Sequence, residues 1–219
     1  MDVAVRITQQ PEADALLSCS ALALLVGALL DRQVATDWAF AGPLTIAHRL
    51  GRKDLDVHQI ASHSQEGFVA LLAAGPAVHE CPAVMARRIQ EMCRFLIARY
   101  EGQAAAVWEG VSTGKQLYGR VNELPGFGRQ KSQIFVALLG KQYGVRPEGW
   151  RDAAGNYGED GVFRCVADIT GPDSLEKVRA FRQEQRRVAK EVRVRTAGAV
   201  QRARVCPHLP KAGEFLARR

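Results

Sequence analysis

The sequence has no C-x-x-C pair, and its five cysteines (Cys19, Cys81, Cys93, Cys165 and Cys206) are odd in number and widely scattered. That pattern excludes a disulfide framework and a zinc ribbon. Three of the five sit among apolar neighbours on helix-like segments, where a small buried thiol is the usual occupant. A reducing, cytoplasmic compartment is expected. His79, Glu80 and Cys81 are adjacent rather than spaced as ligands, so no metal site is expected. Long apolar runs are missing as well. The longest, residues 21–30, has about half the length of a membrane span. Its upstream flank carries Glu12 and Asp14, not the basic residues of a signal peptide. It reads instead as a buried helix, and no membrane association is expected.

What is present suffices for a sizeable core. Of 219 residues, 47% are hydrophobic, which excludes a disordered chain and fits one domain or two small lobes. The net charge of +7 is concentrated at one end. Residues 175–219 hold thirteen Lys plus Arg against four Glu, a balance of +9, leaving −2 for the first 174 residues. Such a segment suits a polyanion, although taken alone it reads as a solvated charged helix.

Residues 1–8 alternate Val3, Val5 and Ile7 with polar residues, as a short strand or an extended arm does. A helix begins near Pro11, and Ser20 offers a cap for the apolar helix of residues 21–32. A polar loop over 31–38 precedes an amphipathic helix reaching about residue 50. Residues 54–74 read as two short helices broken at Ser62-His63-Ser64, residues 75–82 as a loop, and 83–100 as a long amphipathic helix closed by Glu101-Gly102. Further on, 161–169 is helix-like, and Trp150, Tyr157 and Phe163 are either core or the walls of a base pocket. A long charged helix follows Asp173 and loses its pattern past Val194.

Two helical segments, one carrying Leu117 and Val121 and the other Ile134, Phe135, Leu138 and Leu139, flank Leu124-Pro125-Gly126-Phe127-Gly128-Arg129-Gln130-Lys131-Ser132. Pro125 stops the first helix. Gly126 and Gly128 admit positive φ and leave no side chain to hold a phosphate away from the backbone. The amides opening the second helix point outward, with the positive end of its dipole behind them. Arg129 and Lys131 stand where positive charge is unfavourable to the helix itself, which a nearby phosphate offsets.

This string resembles the hairpin of the helix-hairpin-helix DNA glycosylases, the superfamily of endonuclease III and the alkylation-repair glycosylases. The resemblance covers about residues 15–190, because the buried helix, a Gln-bearing loop, the long amphipathic helix and the hairpin come in the family's order. It implies an all-α, two-lobed fold with a DNA cleft between the lobes. A domain over 1–190 is then followed by a basic extension over 191–219. The implied activity is base excision repair on double-stranded DNA by a monomer, flipping a damaged base and hydrolysing its N-glycosidic bond. Gly126, Phe127, Gly128, Arg129 and Lys131 become the DNA contacts. Gln33 falls on the position whose amide enters the duplex, fills the gap and bonds the orphaned base. The resemblance also allows a monovalent cation bridging hairpin carbonyls to phosphate. The iron–sulfur cluster of some relatives needs four clustered cysteines, which are missing here.

The family's catalytic Asp follows the hairpin helix, where it stabilises oxocarbenium-like charge or helps activate water. Here the chain reads Gly144-Val145-Arg146-Pro147-Glu148-Gly149-Trp150-Arg151-Asp152, with no Asp after Val145. Either Glu148, on which an ungapped count from the hairpin lands, or Asp152 supplies the carboxylate, or none does. Both acids also suit an ordinary helix N-terminus. The amine nucleophile of bifunctional members is replaced by Gln130, with Lys131 one residue on and about 100° around the helix. No lyase step is expected. A monofunctional glycosylase is the first reading, an inactive protein that binds distorted duplex the second, and a helical module whose basic tail meets an acidic partner the third.

Overall fold

The computed structural model describes residues 5–204, with side chains through Glu191. Val3, Cys206 and the end of the expected basic extension lie outside the described residues. The chain divides into two units between Ala180 and Phe181.

The first unit is all-helical among its described residues. It contains α1 (Pro11–Cys19), α2 (Ala21–Leu30), α3 (Thr36–Arg49), α4 (Val57–Ser62), α5 (Gln65–Ala73) and α6 (Pro82–Tyr100). After these come α7 (Gly114–Asn122), α8 (Arg129–Gln142), α9 (Trp150–Ala154) and the start of α10 (Pro172–Arg204). The only extended pairing among the described residues is an isolated parallel bridge between Thr113 and Glu148. Val5 and Ile7 are buried in an arm rather than a strand. The arm is pinned where Val5 N donates to Ser18 Oγ and where Thr8 donates twice to Asp14 Oδ1, at 2.8 and 2.9 Å.

Helix α2 forms the middle of the core. Ser20 caps it by accepting from Ala23 N at 3.2 Å, and every residue from Leu22 to Leu30 is buried. Each buried leucine contributes about 1.5–3 kcal/mol. A β-carbon on Gly27 would come within 2.8 Å of the Phe40 ring, so this glycine sets how closely α3 crosses. Among the described residues no single helix is long and apolar enough to cross a membrane; α1 and α2 meet at a bend of 116°. Gln90 of α6, fully buried, donates to Ile60 O and His63 O. It thereby stitches the break between α4 and α5.

Residues 161–169 are not the expected helix. They contain a single 3-10 turn, Val166–Asp168. The buried Asp168 carboxylate accepts from Arg164 N at 2.9 Å, Cys165 N at 3.1 Å and Lys141 Nζ at 2.6 Å. A side chain thus occupies amides that a helix would have paired with carbonyls, and Gly161 turns the chain with φ +71°. At the other end, α10 outruns the expected stop near Val194 and continues to Arg204.

Candidate nucleic-acid interface

Helices α7 and α8 enclose a short turn. Thr113 caps α7 by accepting from Gln116 N at 3.2 Å, while Ser112 N donates to Gln116 Oε1. Leu124 is buried within the turn and its carbonyl accepts from Phe127 N at 3.0 Å. Gly126 has φ +85°, and a β-carbon there would lie 2.5 Å from Leu29 Cδ1. Conformation and space therefore both demand glycine. Gly128 differs from expectation: its φ is −104°, extended backbone open to any residue, and a β-carbon there would meet nothing within 4 Å. What Gly128 provides is an uncovered backbone. No side chain caps α8, so its leading amides face outward behind a bare glycine.

Ser132 closes the hairpin from inside, its Oγ lying 3.3 Å from Asn122 Oδ1 and 3.1 Å from Gly128 O. Gly128 O also accepts from Ser132 N at 2.9 Å. Among the described residues no three His, Cys, Asp or Glu side chains converge as metal ligands do.

Two of the expected DNA contacts point inward. Phe127 is buried and stands edge-on to Phe135, with ring centroids 5.6 Å apart; it is a core residue. Lys131 reaches back to the end of α2, where Nζ donates to Ala28 O and, at 3.1 Å, to Asp31 O. The last carbonyls of a helix lack partners and carry its negative dipole end, so an ammonium is favoured there. Lys131 is a helix clamp.

That clamp adjoins the loop bearing Gln33. Lys131 holds Asp31 O, and His79 Nε2 lies 3.0 Å from Arg32 O. His79 Nδ1 accepts from Cys81 N at 3.0 Å, so Nε2 carries the proton and donates. Between these anchors and buried Val34, Gln33 is exposed and takes φ +65°. A non-glycine residue in this region costs about 1–2 kcal/mol, and it persists only where its surroundings over-determine it.

On the other side of α8, Arg129 borders a cleft of about 480 Å³ together with Lys115, Tyr118, Gln133, Glu148 and Asp152. Both candidate carboxylates thus share one cleft with one of the expected DNA contacts. Their segment is fixed by backbone. Gly114 N donates to Glu148 O at 2.7 Å and Glu148 N to Ser112 O at 3.2 Å. A β-carbon on Gly114 would strike Gly149 O at 2.4 Å, and one on Gly140 would strike the Trp150 ring at 2.3 Å. Glu148 and Asp152 themselves are exposed. Gln130, at the position of the bifunctional nucleophile, donates to Tyr157 Oη at 2.8 Å.

None of the candidate aromatic walls lines that cleft. Trp150 and Phe163 line a separate cavity of about 280 Å³ with Lys141 and Asp168. Lys141 and Asp168 there form an ion pair whose side chains are 11% and 3% exposed, and nothing in the sequence reading had singled it out. Lys115, Tyr118 and Gln133 were also missed, although Lys115–Tyr118 at i, i+3 and Arg129–Gln133 at i, i+4 are spacings that share a helix face.

No family model matches the chain, and neither a curated protein nor a solved structure is significantly similar to it.

Proposed function

We propose that this protein is a monofunctional DNA glycosylase of base excision repair that acts through a helix-hairpin-helix grip on duplex DNA. The observation that carries the reading is the cleft at the uncapped start of α8, where Glu148, Asp152 and Arg129 come together. The bare Gly128 backbone and the leading amides of α8 receive a phosphate, and Arg129 adds charge to it. Exposed Gln33, held in a strained conformation, enters the duplex as a base leaves the stack. An ionised carboxylate in the cleft stabilises positive charge on the sugar as the C1′–N bond breaks. The departing base takes the bonding electrons; water then adds at C1′, and the proton it gives up ends on the departed base.

A second reading, an inactive protein that binds distorted duplex, is favoured by the exposure of both Glu148 and Asp152. Single-turnover base release separates the two. Excess protein is incubated with duplexes carrying alkylated, deaminated or oxidised bases, followed by alkali to cut abasic sites. Release by wild type that collapses in Glu148→Gln or Asp152→Asn supports the glycosylase and names its carboxylate. No release from any lesion, with tight binding to distorted duplex, replaces it by the second reading.

A further inference from the structure

From Phe181 onward α10 belongs to the second unit, and residues 183–191 are exposed on every side of the helix. A helix without a packed face depends on its charges or on a partner. The charges here are ordered. At about 100° per residue, Arg182, Arg186 and Lys190 fall within an arc of about 80°, and the sequence keeps that register at Arg193. The acids stand elsewhere, and both are engaged by Arg187, which bonds Glu184 at 2.7 and 2.8 Å and Glu191 at 2.9 Å. Among the described residues neither Arg186 nor Lys190 has a carboxylate partner.

We infer that this basic stripe lies along the phosphate backbone of duplex DNA as a second contact, separate from the hairpin. The choice of duplex rests on the proposed function; the choice of a linear polyanion rests on the stripe. A protein partner needs an apolar anchor within the contact, since interface cores are depleted of charge and enriched in aromatic residues. The arc from Arg182 to Lys190 contains no apolar side chain, and the exposed Phe181 and Val188 lie on the opposite side by helical register. Cations recurring about every 6 Å along a rod meet a partner whose charges also recur along a line. The stripe governs hold on the duplex, while base chemistry stays with the first unit.

The test compares full-length wild type with the triple variant R182Q/R186Q/K190Q and with Arg187→Gln, which removes one positive charge from the same helix off the stripe. Dissociation constants for an undamaged duplex are measured across a salt series. Each lost phosphate contact lowers the slope of log K against log salt by about 0.9. The triple variant should lose at least about 1.8 from the slope, the share of Arg186 and Lys190, and Arg187→Gln almost nothing. Charge reversal in R186E/K190E should weaken binding further at every salt concentration. The inference is overturned if the triple variant changes the slope no more than Arg187→Gln does. It is also overturned if wild type prefers poly-glutamate to duplex of equal charge and the triple variant loses that preference. Base release distinguishes the two levels. A triple variant with unchanged slope and intact release removes the stripe and leaves the glycosylase, whereas wild type that binds no duplex removes both.

Discussion

Replacing Lys131 by Met separates two roles that the same residue type can play at the start of a helix. As a phosphate contact, Lys131 would matter to DNA and hardly to folding. The structure instead has it donating to Ala28 O and Asp31 O at the end of α2. Two charge-assisted bonds at about 1.5–3 kcal/mol each, less what Met regains by filling the same space, give an expected loss of about 3 kcal/mol. For a domain of this size, with a urea m-value of about 2 kcal/mol/M, the unfolding midpoint should drop by about 1.5 M at unchanged m. The salt slope of duplex binding should stay at the wild-type value. A midpoint shift below about 0.3 M, together with a slope reduced by about 0.9, would refute the clamp and restore Lys131 as a phosphate ligand.

Gly126→Ala should destabilise by about 2 kcal/mol through positive φ and its approach to Leu29. Gly128→Ala, whose β-carbon meets nothing, should leave the urea midpoint unchanged but weaken duplex binding several-fold. Gln33→Gly relieves φ +65° and should stabilise by about 1 kcal/mol, while fluorescence of a 2-aminopurine reporter shows impaired base extrusion. Ala35→Ser supplies the side-chain cap that α3 lacks and should add about 1 kcal/mol, read by thermal unfolding, with weaker duplex binding if that helix end also meets phosphate. Burial pushes the Cys93 and Cys165 thiols up to about 12, so the unfolded chain loses their protons first as pH rises. Their stabilisation is complete below pH 9 and falls through the window up to 12. At pH 10 each costs about 1.4 kcal/mol, and Cys93→Ala/Cys165→Ala should flatten that part of the profile.

Helices were legible wherever period and caps agreed. Ser20, Ser64 and Thr113 each accept an amide at the start of a helix, and the apolar run after Ser20 forms the buried α2 as its composition demands. The turn between α7 and α8 was legible because Pro125 and Gly126 constrain dihedrals locally. Direction was not. Nothing in the string tells that Lys131 turns back to a carbonyl of α2 about a hundred positions earlier, since that partner is set by packing. The same holds for His79: a loop histidine between glycine and prolines gives no sign that it fixes Arg32 O. Residues 161–169 misled for a related reason. Their apolar spacing suits a helix, but Asp168, buried against Lys141, captures the amides that the helix would need.

The helix starts that lack local satisfaction fall at the candidate interface. Four helices begin on a side-chain acceptor, at Ser20, Asp56, Ser64 and Thr113. Three more, α1, α6 and α10, begin with Pro, which removes one of the unpaired donors. Among the described helices of eight residues or more with a given cap, α3 and α8 have neither device. One follows the Gln33 loop and the other follows Gly128, and Lys131 ties the start of α8 to the end of the helix before that loop. An N-terminus left open costs about 1 kcal/mol of capping energy, and Gln33 stores a similar amount in its backbone. Both costs are offset once an anion docks at those ends and the loop enters a partner. Local features that lower the stability of the free protein are thereby concentrated where the proposed function places phosphate and base, while the helix starts remote from that end are closed.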